Sequence, residues 1–402
     1  MTAPTGLQAL PPWCARLCLG VERFLSEQAP AALDRGHLLV AVSAGADSTA
    51  LARILAALAP RLGVVPVAVH LNHSLRPESP DDDAFCRALA RELGMDYRAA
   101  SRNVRDLAVS QGLGLEDAGR TARYDFFEES LARTGACVVA LAHHLDDLAE
   151  DQLLRLTRGA GWPALGGMPA WDPARRVLRP LLLTPKAHLR RFLEETGSPW
   201  REDPSNADPA FTRNRIRHEV LPLLARENPD YLGRAAELWR QARQDEAHWG
   251  RLTAMALAEA ARPSAPAASS HAAAPSPAQA ERASPCGARH ASPLEDAIPG
   301  ETGFAGPRPA DAPDAIGFLP ARVLGGATQA LRLRLYKRAV ESLGPGQPLG
   351  AALRRLDEAW LARATGKRIQ FPGGKEARVE RSGVRFCPAQ TRTDVDTSGD
   401  QR

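Results

Sequence analysis

Two short stretches carry residues suited to phosphate chemistry. Ser43-Ala44-Gly45-Ala46-Asp47-Ser48 gathers hydroxyls, small side chains and a carboxylate just ahead of a helical pattern. Small side chains let an anion approach the backbone, and the free N–H groups and dipole of a helix start attract it. Ser43, Ala44, Gly45, Ala46, Asp47 and Ser48 are therefore candidate phosphate-binding residues, with an ordinary tight turn as the plain alternative. No Lys follows Gly45, so this is not a GxxxxGK[ST] loop. The second stretch is His143-His144-Leu145-Asp146-Asp147-Leu148-Ala149-Glu150. His143, Asp147 and Glu150 lie four and three apart and share a helix face if the helix has begun at His143. Carboxylates beside a triphosphate suit Mg²⁺, which takes oxygen ligands and bridges phosphates. Acids placed for a helix dipole, or a two-metal phosphohydrolase site, are the competing readings.

The surrounding pattern must place both stretches together. Leu38 to Val42 is a short apolar, β-branched run that predicts a strand, and Leu51, Ile54, Leu55 and Leu58 give the next helix an apolar face. Asp47, Ser48 and Thr49 are expected to cap that helix. Val64 to Leu71 predicts a second parallel strand, 95–100 a third and Ala136 to Ala142 a fourth. Helices are expected over 79–93, 116–134 and 144–158, with a helical lead-in before His37. Such alternation argues an α/β, doubly wound, mostly parallel sheet with its site at the carboxyl ends of the strands.

Composition sets bounds. With 402 residues, 44% hydrophobic and 24% charged, the chain can bury the cores of two or three domains. No apolar run is long enough for a membrane span, and no signal peptide is evident. Six scattered cysteines without a CxxC pair read as free thiols in a reducing cytoplasm. The net charge of +4 hides basic regions at 175–226 and 321–386, which points to a polyanionic partner, nucleic acid first. Residues 262–316 hold ten prolines and one aromatic, Phe304, too little apolar surface to offset ordering, so a disordered insert is expected.

The loop at 43–48 resembles the SGGxDS signature of PP-loop ATP pyrophosphatases, with Ala44 at a usual Gly. HLNHSLR (70–76), GLEDAGRTARY (114–124), AHHLDDLAE (142–150), RPLL (179–182) and WREDPSNADPAFTRNRIRHEVLPLL (200–224) resemble, in order, the motifs of the tRNA(Ile)-lysidine synthetase family. The resemblance is strong over 38–224 and returns weakly over 318–387, as in the family's short form. Leu148, Asp151 and Ala164 depart from the family pattern. The resemblance implies a PP-loop, adenine nucleotide alpha hydrolase-like fold with a smaller α+β C-terminal domain. It implies adenylation of the wobble cytidine of a CAU-anticodon tRNA(Ile) by ATP, release of pyrophosphate, and displacement of AMP by free L-lysine. Asp47 and Asp147 would then hold Mg²⁺, while Arg123 and Arg215 would hold the α-phosphate and the adenylated intermediate. A base for the lysine amine is expected, with Glu150 and His143 as the two candidates. Thio-transfer, phosphohydrolysis and non-catalytic RNA binding stay as alternatives.

The expected organisation is a lead-in at 1–36, a catalytic domain at 37–226, a helical segment at 227–261, the insert at 262–316, a basic tRNA-binding domain at 317–390 and a tail at 391–402. Expected partners are tRNA(Ile) and L-lysine, with a homodimer as a candidate assembly, no membrane, and a cytoplasmic location.

Overall fold

The computed structural model describes residues 6–29, 36–72, 79–202, 212–262, 316–344, 346 and 348–389. Most of the 262–316 insert and the 391–402 tail therefore lie outside the described residues. Chain contacts divide it into two units, Met1–Ala247 and His248–Arg402. The division falls inside one helix that covers most of the expected helical segment.

The first unit is built on β1 (His37–Ala41), β2 (Val65–Asn72), β3 (Asp96–Ser101), β4 (Val138–Ala140), β5 (Trp171–Asp172) and β6 (Val177–Leu178). Their order is β3-β2-β1-β4-β6-β5, parallel throughout except at the β5–β6 hairpin. That hairpin has no counterpart in the sequence reading, because strands of two residues carry no periodicity. Leu38 and Val40 pack on one side of the sheet with α1 (Pro12–Gln28) and α2 (Ala46–Leu62). Leu39 packs on the other side with Phe126, Phe127 and Leu131 of α5 (Leu115–Thr134). A central strand covered on both faces is apolar at consecutive positions, which is why β1 reads as a run rather than an alternation.

Crossovers α3 (Ser79–Glu92) and α4 (Val104–Gln111) complete the β2–β3 side. Beyond β4 come α6 (Leu145–Thr157), α7 (Lys186–Glu195), α8 (Thr212–Arg215), a π-helical turn at Ile216–Val220, α9 (Leu221–Glu227) and α10 (Tyr231–Ala261). Leu148, one of the departures from the family pattern, fills a core with Leu145, Ala170, Leu182 and Trp239. Among the described residues no helix is long and apolar enough to cross a membrane.

The second unit has β7 (Phe318–Pro320), α11 (Ala321–Gly326), α12 (Gln329–Ser342), α13 (Gly350–Leu361), β8 (Arg368–Phe371), β9 (Lys375–Glu380) and β10 (Gly383–Pro388). Its sheet is antiparallel in the order β7-β10-β9-β8. Ile369, Phe371, Ala377, Val379, Val384 and Phe386 are buried with Leu335, Tyr336 and Leu356 of the helices. Alternation along β8 and β9 thus leaves one sheet face to solvent.

Candidate active site

The strand order reverses between β1 and β4, which pair directly. A crevice opens at such a switch point beyond the carboxyl ends of the strands. The loop 43–48 leaves β1 there, and residues 141–144 leave β4 there. Both chemistry-bearing stretches therefore meet at one crevice.

The 43–48 loop folds around Ser48. Its Oγ accepts hydrogen bonds from the Ser43 N–H at 3.0 Å and from the Ser43 Oγ at 3.2 Å, and donates to the Gly45 carbonyl at 3.0 Å. The cap position of α2 is Gly45, and no side chain caps the helix. The expected capping by Asp47, Ser48 and Thr49 does not occur, because these residues already lie inside the helix and Ser48 serves the loop instead. The first N–H groups of α2 are thereby left for a ligand. Ala44 has φ +65°, the left-handed region that explains why glycine suits this position. Its carbonyl accepts from the Arg201 N–H at 3.0 Å, and Arg201 Nε pairs with Asp82 at 2.8 Å, tying loop to α3.

Opposite this loop, His144 is the cap residue of α6. Its backbone N–H donates to Asp147 Oδ2 at 3.1 Å, while the Asp147 N–H faces His144 Nδ1 at 3.4 Å. His144 Nε2 lies 3.4 Å from Asp47 Oδ2 and 3.5 Å from Asp147 Oδ2, so one buried imidazole joins the two candidate metal carboxylates. Lys186 Nζ approaches Asp47 at 3.7 Å, and Asp146 accepts the Lys186 N–H at 2.9 Å, fixing the start of α7. Burial alone would raise the pKa of Asp47, but His144 and Lys186 outweigh it and hold the carboxyl below its usual range. Burial likewise opposes ionisation of Asp147, and His144 and Arg213 overcome it, bringing its pKa down to about 2. His144 is raised because Asp147, Asp47 and Asp146 outweigh its desolvation.

Glu150, wholly buried, accepts from Arg213 Nε at 2.7 Å and from Arg217 Nε and Nη2 at 2.6 and 2.9 Å. Arg213 and Arg217 also reach Asp147 Oδ1 at 3.3 and 3.1 Å. Two carboxylates spaced i,i+3 on α6 thus meet two guanidiniums spaced i,i+4 on the 212–220 segment. Sequence reasoning passed over Arg213, Arg217, His144 and Lys186. The signal available was that i,i+4 pair of arginines, which share a helix face as Asp147 and Glu150 do.

His143 precedes the helix, so it does not share the face of Asp147 and Glu150. Its Nδ1 is buried with no hydrogen-bond partner among the described residues. Desolvation, with the charges of Arg179, Arg213 and Arg123, lowers its pKa to about 3, keeping the ring neutral. Arg123 feels the charges of Arg120 and Arg213 and, among the described residues, makes no ion pair. Arg215 is exposed and donates to Thr212 Oγ1 at 3.0 Å, while its neighbours Arg213 and Arg217 reach the carboxylates. The structure therefore gathers Ser43–Ser48, His143, Asp147 and Glu150 at the crevice, places Arg123 within electrostatic reach, and gives Arg215 a separate contact.

Residues 21–224 match the PP-loop domain family. The chain is 42% identical over 350 residues to the tRNA(Ile)-lysidine synthase of Nitratidesulfovibrio vulgaris, covering 87% of this chain and 91% of that protein. The chain belongs to the tRNA(Ile)-lysidine synthase family. The family member of Geobacter sulfurreducens is 43% identical over 222 residues, 55% of this chain and 47% of its own length. That of Thermus thermophilus is 41% identical over 209 residues, 52% of this chain and 39% of its own. The chain thus spans nearly all of one curated relative and under half of the two others. In this family setting, the loop after β1 is a PP-loop, and of the ordered sequence motifs the 43–48 and 142–150 stretches meet at the crevice just described.

Proposed function

We propose that this chain uses ATP to join L-lysine to the wobble cytidine of a tRNA(Ile) bearing a CAU anticodon. The observation that carries the reading is the PP-loop and the Asp147/Glu150 cluster facing each other across the β1/β4 switch point, bridged by His144. A cytosine carbonyl is a poor electrophile until its oxygen becomes a leaving group. Transfer of AMP to that oxygen releases pyrophosphate, and the lysine amine then displaces AMP.

The residues have separable tasks. The uncapped N-terminus of α2 and the Ser43 and Ser48 hydroxyls receive the departing pyrophosphate end. Arg123 has no counter-charge among the described residues and meets developing negative charge at the α-phosphate. Arg215 serves the adenylated intermediate in the same reading. Asp47 and Asp147 fit Mg²⁺: both are held ionised, and Asp47 Oδ1 is buried without a partner. Among the described residues no group of three or more His, Cys, Asp or Glu side chains is disposed to cage a metal. Two carboxylates suit an ion that completes its shell with phosphates and water. Such an ion supplies charge neutralisation of the phosphates. His143, neutral with a pKa near 3, is a weak proton acceptor, and both oxygens of Glu150 are occupied by guanidiniums. Glu150 therefore acts first as the anchor of Arg213 and Arg217.

The second unit is the proposed tRNA-binding module, and the reaction is placed in the cytoplasm; a homodimer remains the candidate assembly. Incubation with a CAU tRNA(Ile) transcript, ATP and lysine, followed by nucleoside mass analysis, tests the function. Expected are one lysine condensed with cytidine, pyrophosphate, and AMP that appears with lysine. Asp147→Asn should abolish pyrophosphate release while tRNA binding persists. Inorganic phosphate as main product would point to a phosphohydrolase, and unconsumed lysine to thio-transfer.

A further inference from the structure

One face of α5 carries more positive charge than the chain itself answers. Arg120, Arg123 and Tyr124 lie at i, i+3 and i+4 and so share that face. The Arg120 guanidinium lies 5.1 Å from the centre of the Tyr124 ring, and the Arg175 guanidinium lies 5.6 Å from it. Arg175 is neutralised by the buried Asp172 at 3.1 Å. Arg120 is exposed and, among the described residues, no carboxylate pairs with it. Arg123 is likewise without an ion pair there, and desolvation first, with the neighbouring Arg120 charge adding to it, disfavours its positive charge. Like charges one turn apart repel by a few tenths of a kcal/mol. Folding gains nothing from leaving both unanswered on an aromatic shelf. The shelf also lies within electrostatic reach of the crevice, since the charges of Arg123 and Arg179 act on His143, and those of Arg120 and Tyr124 on Arg179.

We propose that Arg120, seated on Tyr124, is the receptor for an RNA backbone phosphate next to the nucleotide under reaction. This rests on the reading that RNA is the substrate and adds where the strand lies. Arginine held flat on a ring presents its forked donors in a fixed plane, which suits phosphate oxygens. The half-buried Tyr124 ring and the second guanidinium, Arg175, extend the shelf along which an unstacked loop nucleotide can lie. Arg123, one turn further along α5, meets the reacting phosphate, so Arg120 is the outward continuation of the same cationic track.

The test uses the full chain and a short anticodon stem-loop RNA carrying CAU. Binding is followed by fluorescence anisotropy across a salt series for the parent, Arg120→Gln and Arg120→Lys. Arg120→Gln should bind about tenfold more weakly, the loss expected of one charge-assisted contact. Its log–log salt slope should fall by roughly 0.7 to 0.9, one phosphate's worth. Arg120→Lys should keep the slope while losing part of the affinity. ATP affinity, measured separately by calorimetry, should not change in either variant. An Arg120→Gln protein with parental affinity and slope overturns the proposal while leaving the RNA-modifying reading standing. Failure of the parent chain to bind or modify any CAU RNA overturns that reading instead. A parallel loss of ATP affinity in Arg120→Gln would show that Arg120 faces the nucleotide, which also overturns the proposal.

Discussion

Replacing Glu150 with Gln tests whether the Asp147/Glu150/Arg213/Arg217 cluster is a structural keystone as well as part of the site. The carboxylate is fully buried and accepts three hydrogen bonds of 2.6–2.9 Å from two guanidiniums. In the Gln variant the amide NH₂ must face one of those guanidiniums, donor against donor. Breaking a buried ion pair costs about 3–5 kcal/mol. Here Arg213 and Arg217 retain 36% and 23% side-chain exposure, and both keep Asp147 as a partner. Solvent and the remaining carboxylate reduce the expected loss to about 2–3 kcal/mol. In a unit of this size that is a fall in Tm of about 5–10 °C. Thermal unfolding followed by circular dichroism at neutral pH reads it. Combining Glu150→Gln with Arg217→Met should recover part of the loss, because the stranded guanidinium is removed with its partner. If Glu150 served only as a proton acceptor toward lysine, turnover would fall with Tm unchanged. A Tm within a degree or two of the parent would refute the structural account.

Ala44→Gly should leave stability within about 1 kcal/mol of the parent, since relief at φ +65° is offset by the looser unfolded chain, whereas Ala44→Val should lose more than about 2 kcal/mol in a urea titration. Burial raises the thiols of Cys14, Cys18 and Cys86 to about 11, 12 and 12 from 9. The unfolded chain releases those protons first, so their contribution to stability is complete below pH 9 and is lost as pH rises through 11–12; urea midpoints should fall between pH 8 and 10.5, and thiol labelling at pH 8 should reach exposed Cys137 and spare these three. In the second unit, Arg378→Glu should weaken tRNA binding with a shallower salt slope and little change in Tm, because Arg378 is exposed between Arg368 and Arg385 in the sheet register. Arg332→Glu should instead unfold that unit, as Arg332 is buried and bound to Asp357 at 2.6 and 3.1 Å.

What the sequence made legible follows from where the signals are local. The strand at β1 and the crossover through α2 are encoded in consecutive apolar residues and a three-four spacing; β1 forms within a residue of its expected ends, while α2 starts ahead of its expected caps and runs on to Leu62, a turn beyond the last apolar position of the spacing. The position of His144 could not be read, because its role depends on where α6 begins. One residue's shift in that start makes it the cap and moves His143 off the helix. Arg213 and Arg217 were hidden for a different reason. Their partners lie 63 to 70 positions away, and charge alone in an arginine-rich segment does not say which guanidinium turns inward. The same ambiguity applied to Arg332, Arg334 and Lys337 of α12, which share a basic segment. Arg332 is buried on Asp357, Arg334 lies over the Trp249 ring at 4.0 Å, and Lys337 is exposed.

The charge arrangement at the crevice accounts for how one site can receive a triphosphate and an RNA strand without collapsing on itself when empty. Asp47, Asp147 and Glu150 are each answered at rest, by Lys186 and His144, by Arg213 and Arg217, and by the same two arginines again. Asp47 and Asp147 are thus held ionised at neutral pH, Glu150 is fixed by its two arginines, and Asp47 Oδ1 is still unpartnered. Beyond this balanced centre, Arg123 and Arg120 stand without counter-charges among the described residues, two cations on one face of α5. In the function proposed above, an incoming polyanion meets these cations first, and its phosphates supply the counter-charge they lack. A protein with the opposite arrangement, unanswered carboxylates and neutralised arginines, would repel both substrates. A charge-balanced buried centre beside two unanswered arginines makes one order of events physically sensible in that proposal: anions dock on Arg120, Arg123 and the α2 N-terminus before any carboxylate has to release an arginine.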